Sequence, residues 1–181
     1  MGCGKSSVGK ILATLLPECR LIDLDTYIEE KQGKNIPEIF NEYGEAAFRR
    51  MEREALEEIF SDKSRPRAIL SLGGGTVTSE QCRQLIRQHT DCFYLRATTD
   101  TLLDNLEGHS DGRPMLNPTQ PAEAPSTDVS SEREALRHRI ESLMQTRSPQ
   151  YIATAHHIID IDGLSFAQIA EAVEANILNI K

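Results

Sequence analysis

The chain has 181 residues, of which 39% are hydrophobic, and this fits one compact domain with an ordinary apolar core. Its formal net charge of -8 argues against a nucleic-acid surface, because phosphate backbones are bound by clustered Lys and Arg. No apolar run approaches the roughly 18 residues that a membrane span needs. We therefore expect a soluble, cytoplasmic, single-domain protein over residues 1–181, with no nucleic-acid or membrane partner and with its four cysteines as free thiols.

Short β-type runs alternate with helical stretches along the chain, which is typical of parallel βαβ units. We predict strands at 20–24, 68–72, 92–95 and 157–161. Apolar residues at three-to-four spacing predict one long helix at 36–60, with a buried stripe that includes Tyr43. Helical patterns return at 133–144 and 166–177. The prediction is an α/β fold with a parallel sheet.

A proline-rich segment interrupts this pattern at about 108–132. Four prolines stand there among Ser, Thr, Asp and Gly, a composition that indicates a loop. A loop of this length inside a compact domain is usually either functional or disordered, and a lid over an active site is the functional form. We predict a mobile lid.

Glycines, a lysine and serines stand at the start of the chain, directly before a helical run. Residues 2–7, GCGKSS, match the second half of a Walker A loop, GxxxxGK[ST], whose backbone N–H groups cradle phosphates. In that motif Lys5 would reach the β- and γ-phosphates, and the hydroxyl of Ser6 would hold Mg²⁺. The motif's first glycine would fall before Met1, so we expect an incomplete loop and a sheet without its first strand. The predicted nucleotide contacts are Gly2, Cys3, Gly4, Lys5, Ser6 and Ser7.

The first residues of the chain, taken by themselves, leave two other interpretations open. Residues 1–6 also satisfy the MGxxx[ST] pattern for N-myristoylation, with Cys3 available for palmitoylation, which would suit a lipid-anchored interaction protein. A glycine-rich helix start with a purely structural role is the third interpretation. The residues that follow must decide among them.

Two carboxylates, Asp23 and Asp25, come at the end of the first predicted strand, where nucleotide-binding α/β sheets present their ligand-facing loops. One carboxylate beside bound phosphates can support Mg²⁺, and the other can accept the proton of a substrate hydroxyl. The alternative is that Asp25 only caps a helix that begins near Thr26.

An arginine on the predicted long helix and a run of three glycines complete the candidate site residues. Arg49 and Glu52 are three residues apart on the predicted long helix, so the pair is either a solvated ion pair or a guanidinium held in position to bind a substrate carboxylate. Residues 73–75, three consecutive glycines after an apolar strand, would let the backbone approach a ligand closely, unless they form an ordinary turn.

Together these motifs resemble the shikimate kinase family over nearly the whole chain. The matching positions are Gly4-Lys5-Ser6, Asp23 and Asp25, Phe48-Arg49 with Glu52, Gly73-Gly74-Gly75, Arg113-Pro114, and Arg147 with Tyr151 and Ala155.

The resemblance implies a three-layer P-loop nucleotide hydrolase-type fold, with a parallel sheet between helices on both faces. It implies ATP-dependent phosphorylation of the 3-hydroxyl of shikimate, a step toward chorismate and the aromatic amino acids, by a chain that we expect to be a monomer. ATP would be the co-substrate and Mg²⁺ the cofactor, with Ser6 and Asp23 as the metal-binding residues. The catalytic residues would be Lys5, Asp25 and Arg113, and Arg113 would also contact the nucleotide phosphates from the lid. Shikimate would be bound by Asp25, Arg49, Gly73, Gly74, Gly75 and Arg147.

Two further functions remain alternatives. Another small-molecule P-loop kinase, such as a gluconate or nucleoside monophosphate kinase, would share the Walker motif and the lid, but FRxxE and RxxxYxxxA disfavour it. A non-catalytic homologue that binds shikimate would fit an incomplete P-loop. Retention of Lys5, Ser6, Asp23 and Arg113 argues against that loss of catalysis, because a binding module would not need them.

Overall fold

The computed structural model describes residues 2–62, 67–106 and 129–179 of the chain. Helices and strands alternate through most of these ranges. In chain order they are α1 (Lys5–Leu15), β1 (Arg20–Asp23), α2 (Leu24–Gln32), α3 (Ile36–Ser61), β2 (Ala68–Ser71), a 3₁₀ turn (Thr76–Thr78), α4 (Glu80–His89), β3 (Phe93–Arg96), α5 (Thr99–Leu106), α6 (Val129–Thr154), β4 (His157–Asp160) and α7 (Phe166–Asn179).

All four predicted strands are present, within one residue of the expected bounds, and they pair in parallel. Strand β1 pairs with β2 from Arg20 opposite Ala68, and β3 pairs with β4 from Phe93 opposite His157. Parallel neighbours need a crossover connection, which helices α2 and α3 provide between β1 and β2. The α/β prediction is therefore confirmed. In the described ranges, however, the strands form two two-stranded sheets and not one continuous sheet.

The predicted long helix is present as α3, but it is interrupted at Gly44. Asn35 begins the helix with a reciprocal capping box, in which its side chain accepts from the Glu38 N–H and the Glu38 carboxylate accepts from the Asn35 N–H. Gly44 has φ 77° and ψ 170°, so two helical segments meet there at a kink. The prediction that Tyr43 lies on the buried stripe was wrong, because this residue stands just before the kink and is 46% exposed.

Helix α6 is longer at both ends than the predicted 133–144. Its first turn takes in 129–132, which the lid prediction includes, while 107–128 lie outside the described residues. At its other end the Arg87 guanidinium donates to the Ala153 carbonyl oxygen at 2.8 Å, which ties the last turn of α6 to α4. This long helix therefore brings the RxxxYxxxA residues against the rest of the fold.

The apolar core consists of two clusters. The first packs α1, α5 and α7 with β3 and β4, and the second packs β1 with α2, α3 and α4. A cavity of about 560 Å³ lies between β2 and β3, bordered also by side chains of α1 and α7. The fully buried large apolar residues of the two clusters are Leu24, Ile28, Ile39, Leu56, Ile86, Leu103, Leu106, Ile140, Ile161 and Ile169.

Two simpler predictions concern the cysteines and the membrane. All four cysteines are free thiols, as predicted. Across the portions of the chain that the structure describes, none of the helices combines the length and the apolar content that crossing a membrane would require.

Candidate active site

The glycine-rich start of the chain forms a left-handed turn that leads into α1. Gly2 and Gly4 have φ of 70° and 73°, a region that residues with a side chain rarely adopt. A Cβ at Gly4 would also lie 2.9 Å from Cδ1 of the Phe166 ring, so only glycine fits there. Lys5 is the first residue of α1, and the first N–H groups of a helix have no partner within it. The turn therefore places backbone N–H donors and a lysine together at the start of α1, the combination that a phosphate site requires.

The two residues predicted to bind the metal lie side by side. The Ser6 hydroxyl donates to Asp23 Oδ2 at 3.0 Å, although the two residues are 17 positions apart in the chain. The other carboxylate oxygen, Oδ1, accepts from the N–H groups of Asp25 and Thr26 and so caps α2. The alternative in which Asp25 is the cap was therefore wrong, because β1 ends at Asp23 and α2 already begins at Leu24.

Asp25 lies in the first turn of α2, and its carboxyl is free of the capping role. Burial, together with the negative charges of Asp23 and Glu52, raises the pKa of Asp25 from 3.8 to about 6. The positive charge of Lys5 acts in the opposite direction and lowers the pKa. The same carboxyl lies close to the glycine turn, since a Cβ at Gly73 would be 2.8 Å from Asp25 Oδ1. A carboxyl with a pKa near 6 is mostly ionised at neutral pH and can still accept a proton.

The three glycines after β2 form a tight turn against these side chains. The N–H of Thr76 donates to the Gly73 carbonyl oxygen at 3.2 Å and so closes the turn. A Cβ at Gly73 would lie 2.8 Å from Asp25 Oδ1, and a Cβ at Gly75 would collide with the Arg49 guanidinium. Close approach is thus the reason for glycine at both positions, and the ordinary-turn alternative does not explain it.

The predicted pair of Arg49 and Glu52 is formed, and it is not a solvated one. Glu52 is fully buried, and its Oε2 accepts from Arg49 Nη1 at 2.6 Å. On its more exposed side Arg49 Nη2 donates to Glu45 at 2.9 Å. Burial acts to lower the pKa of Arg49, but the two carboxylates outweigh it and raise the pKa. The guanidinium is therefore a permanent cation held between two carboxylates.

Sequence reasoning missed Thr76, the residue directly after the glycines. Its side chain is fully buried, and its hydroxyl donates to Glu52 Oε1 at 2.5 Å. A threonine after a glycine turn was the only signal, and nothing local connects it to a glutamate 24 residues earlier.

Two residues of α6 also contact the same glycine turn. The Tyr151 hydroxyl donates to the Gly74 carbonyl oxygen at 2.5 Å, and Arg147 Nη1 donates to it at 3.4 Å. Burial raises the pKa of Tyr151, so its hydroxyl remains a donor at neutral pH. The Tyr151 ring also stacks on Tyr94 of β3, with ring centroids 5.1 Å apart. Arg147 is buried, at 6% exposure, and thus places a second guanidinium beside the turn.

The structure thus brings the described members of the predicted site together in two adjoining groups. The phosphate group holds the glycine turn at 2–4 with Lys5, Ser6 and Asp23, and the acceptor group surrounds the turn at 73–75. Arg113 and the predicted lid up to residue 128 lie outside the described residues. In the ranges the structure covers, three or more His, Cys, Asp or Glu residues nowhere gather as a metal site.

Comparison with known proteins agrees with this geometry. The shikimate kinase family model matches residues 1–177. The shikimate kinase of Thermus thermophilus is 34% identical over 173 residues, covering 96% of this chain and 83% of its own. That of Chlorobaculum tepidum is 35% identical over 180 residues, covering 97% of this chain and 87% of its own.

Solved structures give the same result for the fold. The shikimate kinase of Acinetobacter baumannii in complex with shikimate has a TM-score of 0.83 at 30% identity, covering all of this chain and 90% of that one. The enzyme from Bacteroides thetaiotaomicron has a TM-score of 0.81 at 27% identity, covering 98% and 93%. The predicted three-layer P-loop class is thereby confirmed. These matches show that the chain belongs to the shikimate kinase family.

Proposed function

We propose that this chain transfers the γ-phosphoryl group of ATP to the 3-hydroxyl of shikimate, giving shikimate 3-phosphate and ADP. The observation that carries the proposal is the convergence of Asp25, Arg49 and Arg147 on the glycine turn at 73–75, next to the phosphate turn. One carboxylate, two guanidinium groups and open backbone suit a small acceptor with a carboxylate and several hydroxyls.

The acceptor would be held mainly by its carboxylate. A planar guanidinium can grip a carboxylate with two parallel hydrogen bonds, and Arg49 is already fixed in orientation by Glu45 and Glu52. Arg147 adds a second positive charge from α6, across the turn. The close contact of Gly73 with Asp25 leaves the carboxyl of Asp25 facing the same space, where it can meet a substrate hydroxyl.

The phosphates of ATP would lie on the turn at 2–4 and the N-terminus of α1, with Lys5 against the β- and γ-phosphates. Ser6 and Asp23 fit Mg²⁺, because one hydroxyl and one carboxylate oxygen, completed by phosphate oxygens and water, form the hard oxygen set that this ion prefers. When bound there, Mg²⁺ would neutralise charge on the phosphates. Asp23 Oδ2 is the oxygen available for this, since Oδ1 is engaged in capping α2.

Transfer itself requires mainly positioning and charge stabilisation. Asp25 would orient the attacking hydroxyl and accept its proton, a role that suits a carboxyl whose pKa is raised to about 6. Lys5 would stabilise negative charge on the transferring group. That Arg113 also stabilises this charge, from the predicted lid, stays a prediction.

The proposal is tested by measuring ADP formation by the purified chain with Mg-ATP, with and without shikimate, and with gluconate and CMP as control acceptors. Turnover that depends on shikimate alone is the expected result. Turnover with gluconate or CMP instead would favour another P-loop kinase.

Binding without turnover is the remaining alternative, and calorimetry separates it. Arg49→Lys keeps the charge but loses the two-pronged geometry, so shikimate affinity should fall while ATP affinity is retained. Arg50→Lys, at the exposed neighbouring position, is the matched control and should change neither. Shikimate binding with no ADP formed under any condition would leave a binding module. The expectations of a monomer and of cytoplasmic residence stay predictions, and light scattering would test the first.

A further inference from the structure

A continuous set of buried hydrogen bonds runs from the glycine turn to the guanidinium of Arg49. The Thr76 hydroxyl donates to Glu52 Oε1 at 2.5 Å, and Arg49 Nη1 donates to Glu52 Oε2 at 2.6 Å. Thr76 and Glu52 are both fully buried, so water cannot replace either contact. The carboxylate of Glu52 is thus held at each of its two oxygens by a different element, the 3₁₀ turn on one side and α3 on the other.

The hydroxyl of Thr76 matters because a buried carboxylate needs a donor for each oxygen. Without it Oε1 would lose its hydrogen bond, and the carboxylate could relieve this only by rotating about its side-chain torsions. Such a rotation would move Oε2, and with it the guanidinium that Oε2 holds. Glu45 cannot compensate fully, since it binds Arg49 from the exposed side.

We propose that Thr76 is a positioning residue for the acceptor, whose hydroxyl fixes the Glu52 carboxylate and thereby the orientation in which Arg49 meets the substrate carboxylate. This rests on the proposed function, in which Arg49 binds the carboxylate of shikimate. Thr76 itself touches neither substrate. Its location at the end of the glycine turn also couples that turn to α3, so one hydroxyl aligns both acceptor elements.

The test compares Thr76→Val, which keeps the shape and removes the hydroxyl, with Thr76→Ser, which keeps the hydroxyl. A hydrogen bond to a charged group contributes substantial free energy, so its loss in the Val variant should weaken shikimate binding roughly 10-fold. The KM of this variant for shikimate should rise in parallel. The KM for ATP should stay within about twofold, because nothing in the set touches the phosphate turn. The Ser variant should behave as the parent does.

Thr78→Val is the matched control. Thr78 lies in the same 3₁₀ turn, and its hydroxyl donates to the Gly75 carbonyl oxygen at 2.7 Å but has no contact with Glu52. The Thr78→Val substitution removes one hydroxyl from the turn and should leave shikimate affinity unchanged. If it weakens shikimate binding as much as Thr76→Val does, loosening of the turn explains the effect and the proposal fails.

A double-mutant cycle then asks whether Thr76 acts through Arg49. In an Arg49→Ala background, Thr76→Val should cause no further loss of shikimate affinity. A full additional loss there would overturn the proposal, and so would equal affinities of the parent and the Val variant. Thermal melting of each variant shows whether it is folded, and an unfolded Val variant beside a folded Ser variant would assign Thr76 a role in stability instead.

A readout that needs no substrate separates this inference from the proposed function. Arg49 donates its Nε–H to Glu45, so the nuclear magnetic resonance signal that reports the Glu52 contact in the free protein is that of the Arg49 Nη1–H. It should shift and broaden in Thr76→Val and be preserved in Thr76→Ser and Thr78→Val. An unchanged resonance in Thr76→Val contradicts the positioning role. If the three variants show the expected resonances but the parent chain binds no shikimate, only the proposed function is contradicted.

Discussion

Substitution of Gly73 by alanine probes how closely the glycine turn approaches Asp25. The added Cβ would lie 2.8 Å from Asp25 Oδ1, and 3.1 Å from both Glu52 Oε1 and Thr76 Oγ1. Ordinary contact begins near 3.4 Å, so the Asp25 carboxyl must retreat by about 0.6 Å. A misplacement of about 1 Å near reacting atoms can cost about 100-fold in rate. We therefore expect kcat/KM for shikimate to fall roughly tenfold or more.

The same change should also cost about 1–3 kcal/mol of unfolding free energy, because it overfills a packed site. Gly33→Ala is the control, since Gly33 has φ 65° and nothing within 4 Å of its Cβ, far in sequence from the glycine turn. That variant should lose stability through backbone strain and keep its turnover. Steady-state kinetics and thermal melts of both variants make the measurement. Turnover of Gly73→Ala within twofold of the parent would refute the reasoning that the turn positions Asp25.

Three further outcomes are expected. Burial, with the charges of Asp23 and Glu52, raises the pKa of Asp25 from 3.8 to about 6, so kcat/KM should fall as the pH drops below about 6. The folded state binds this proton more tightly than the unfolded chain, so its stabilising contribution is full below about pH 4 and is lost as the pH rises through 6. Asp25→Asn should therefore raise the melting temperature at pH 7 while abolishing turnover, and a pH–rate profile unchanged between pH 5 and 7 would contradict the assignment. Ser6→Ala should melt as the parent does, because Ser6 is exposed, and need more Mg²⁺ for half-maximal rate in a metal titration. Tyr151→Phe removes the donor to the Gly74 carbonyl oxygen and should cost about 1 kcal/mol in denaturant unfolding, and an undiminished midpoint would show that the contact is not stabilising.

Local sequence patterns were sufficient for the strands and for most of the helices. The β-type runs at 20–24 and 157–161 matched β1 and β4 within a residue, because each run pairs a β-branched isoleucine with another apolar residue, although each strand buries only one of its four residues. The kink at Gly44 had a signal, a glycine inside a helical pattern, that the periodicity of the surrounding residues obscured. The end of α6 was harder, because Pro149 lies inside the helix, where proline is normally unfavourable.

In the candidate site, too, local sequence predicted some contacts and could not predict others. Motif spacing predicted Arg49 beside Glu52, since residues three apart on a helix are neighbours. It could not assign the cap of α2, because Asp23 and Asp25 are both good capping residues and the choice depends on where β1 ends. Thr76 is beyond local reasoning, because its contact with Glu52 depends on the tertiary packing of the 3₁₀ turn against α3.

The two apolar clusters have a consequence for how the two substrates bind. The phosphate turn begins α1, which packs in the first cluster, whereas Arg49 lies on α3, which packs in the second. The described strands of the two sheets share no hydrogen-bonded ladder, but α1 packs against both β1 and β2, so the donor and acceptor sites are joined by side-chain contacts. A first ligand that restricts these shared contacts would leave the second ligand with less conformational entropy to lose. ATP and shikimate should accordingly bind with synergy, each tightening the affinity for the other by the same factor.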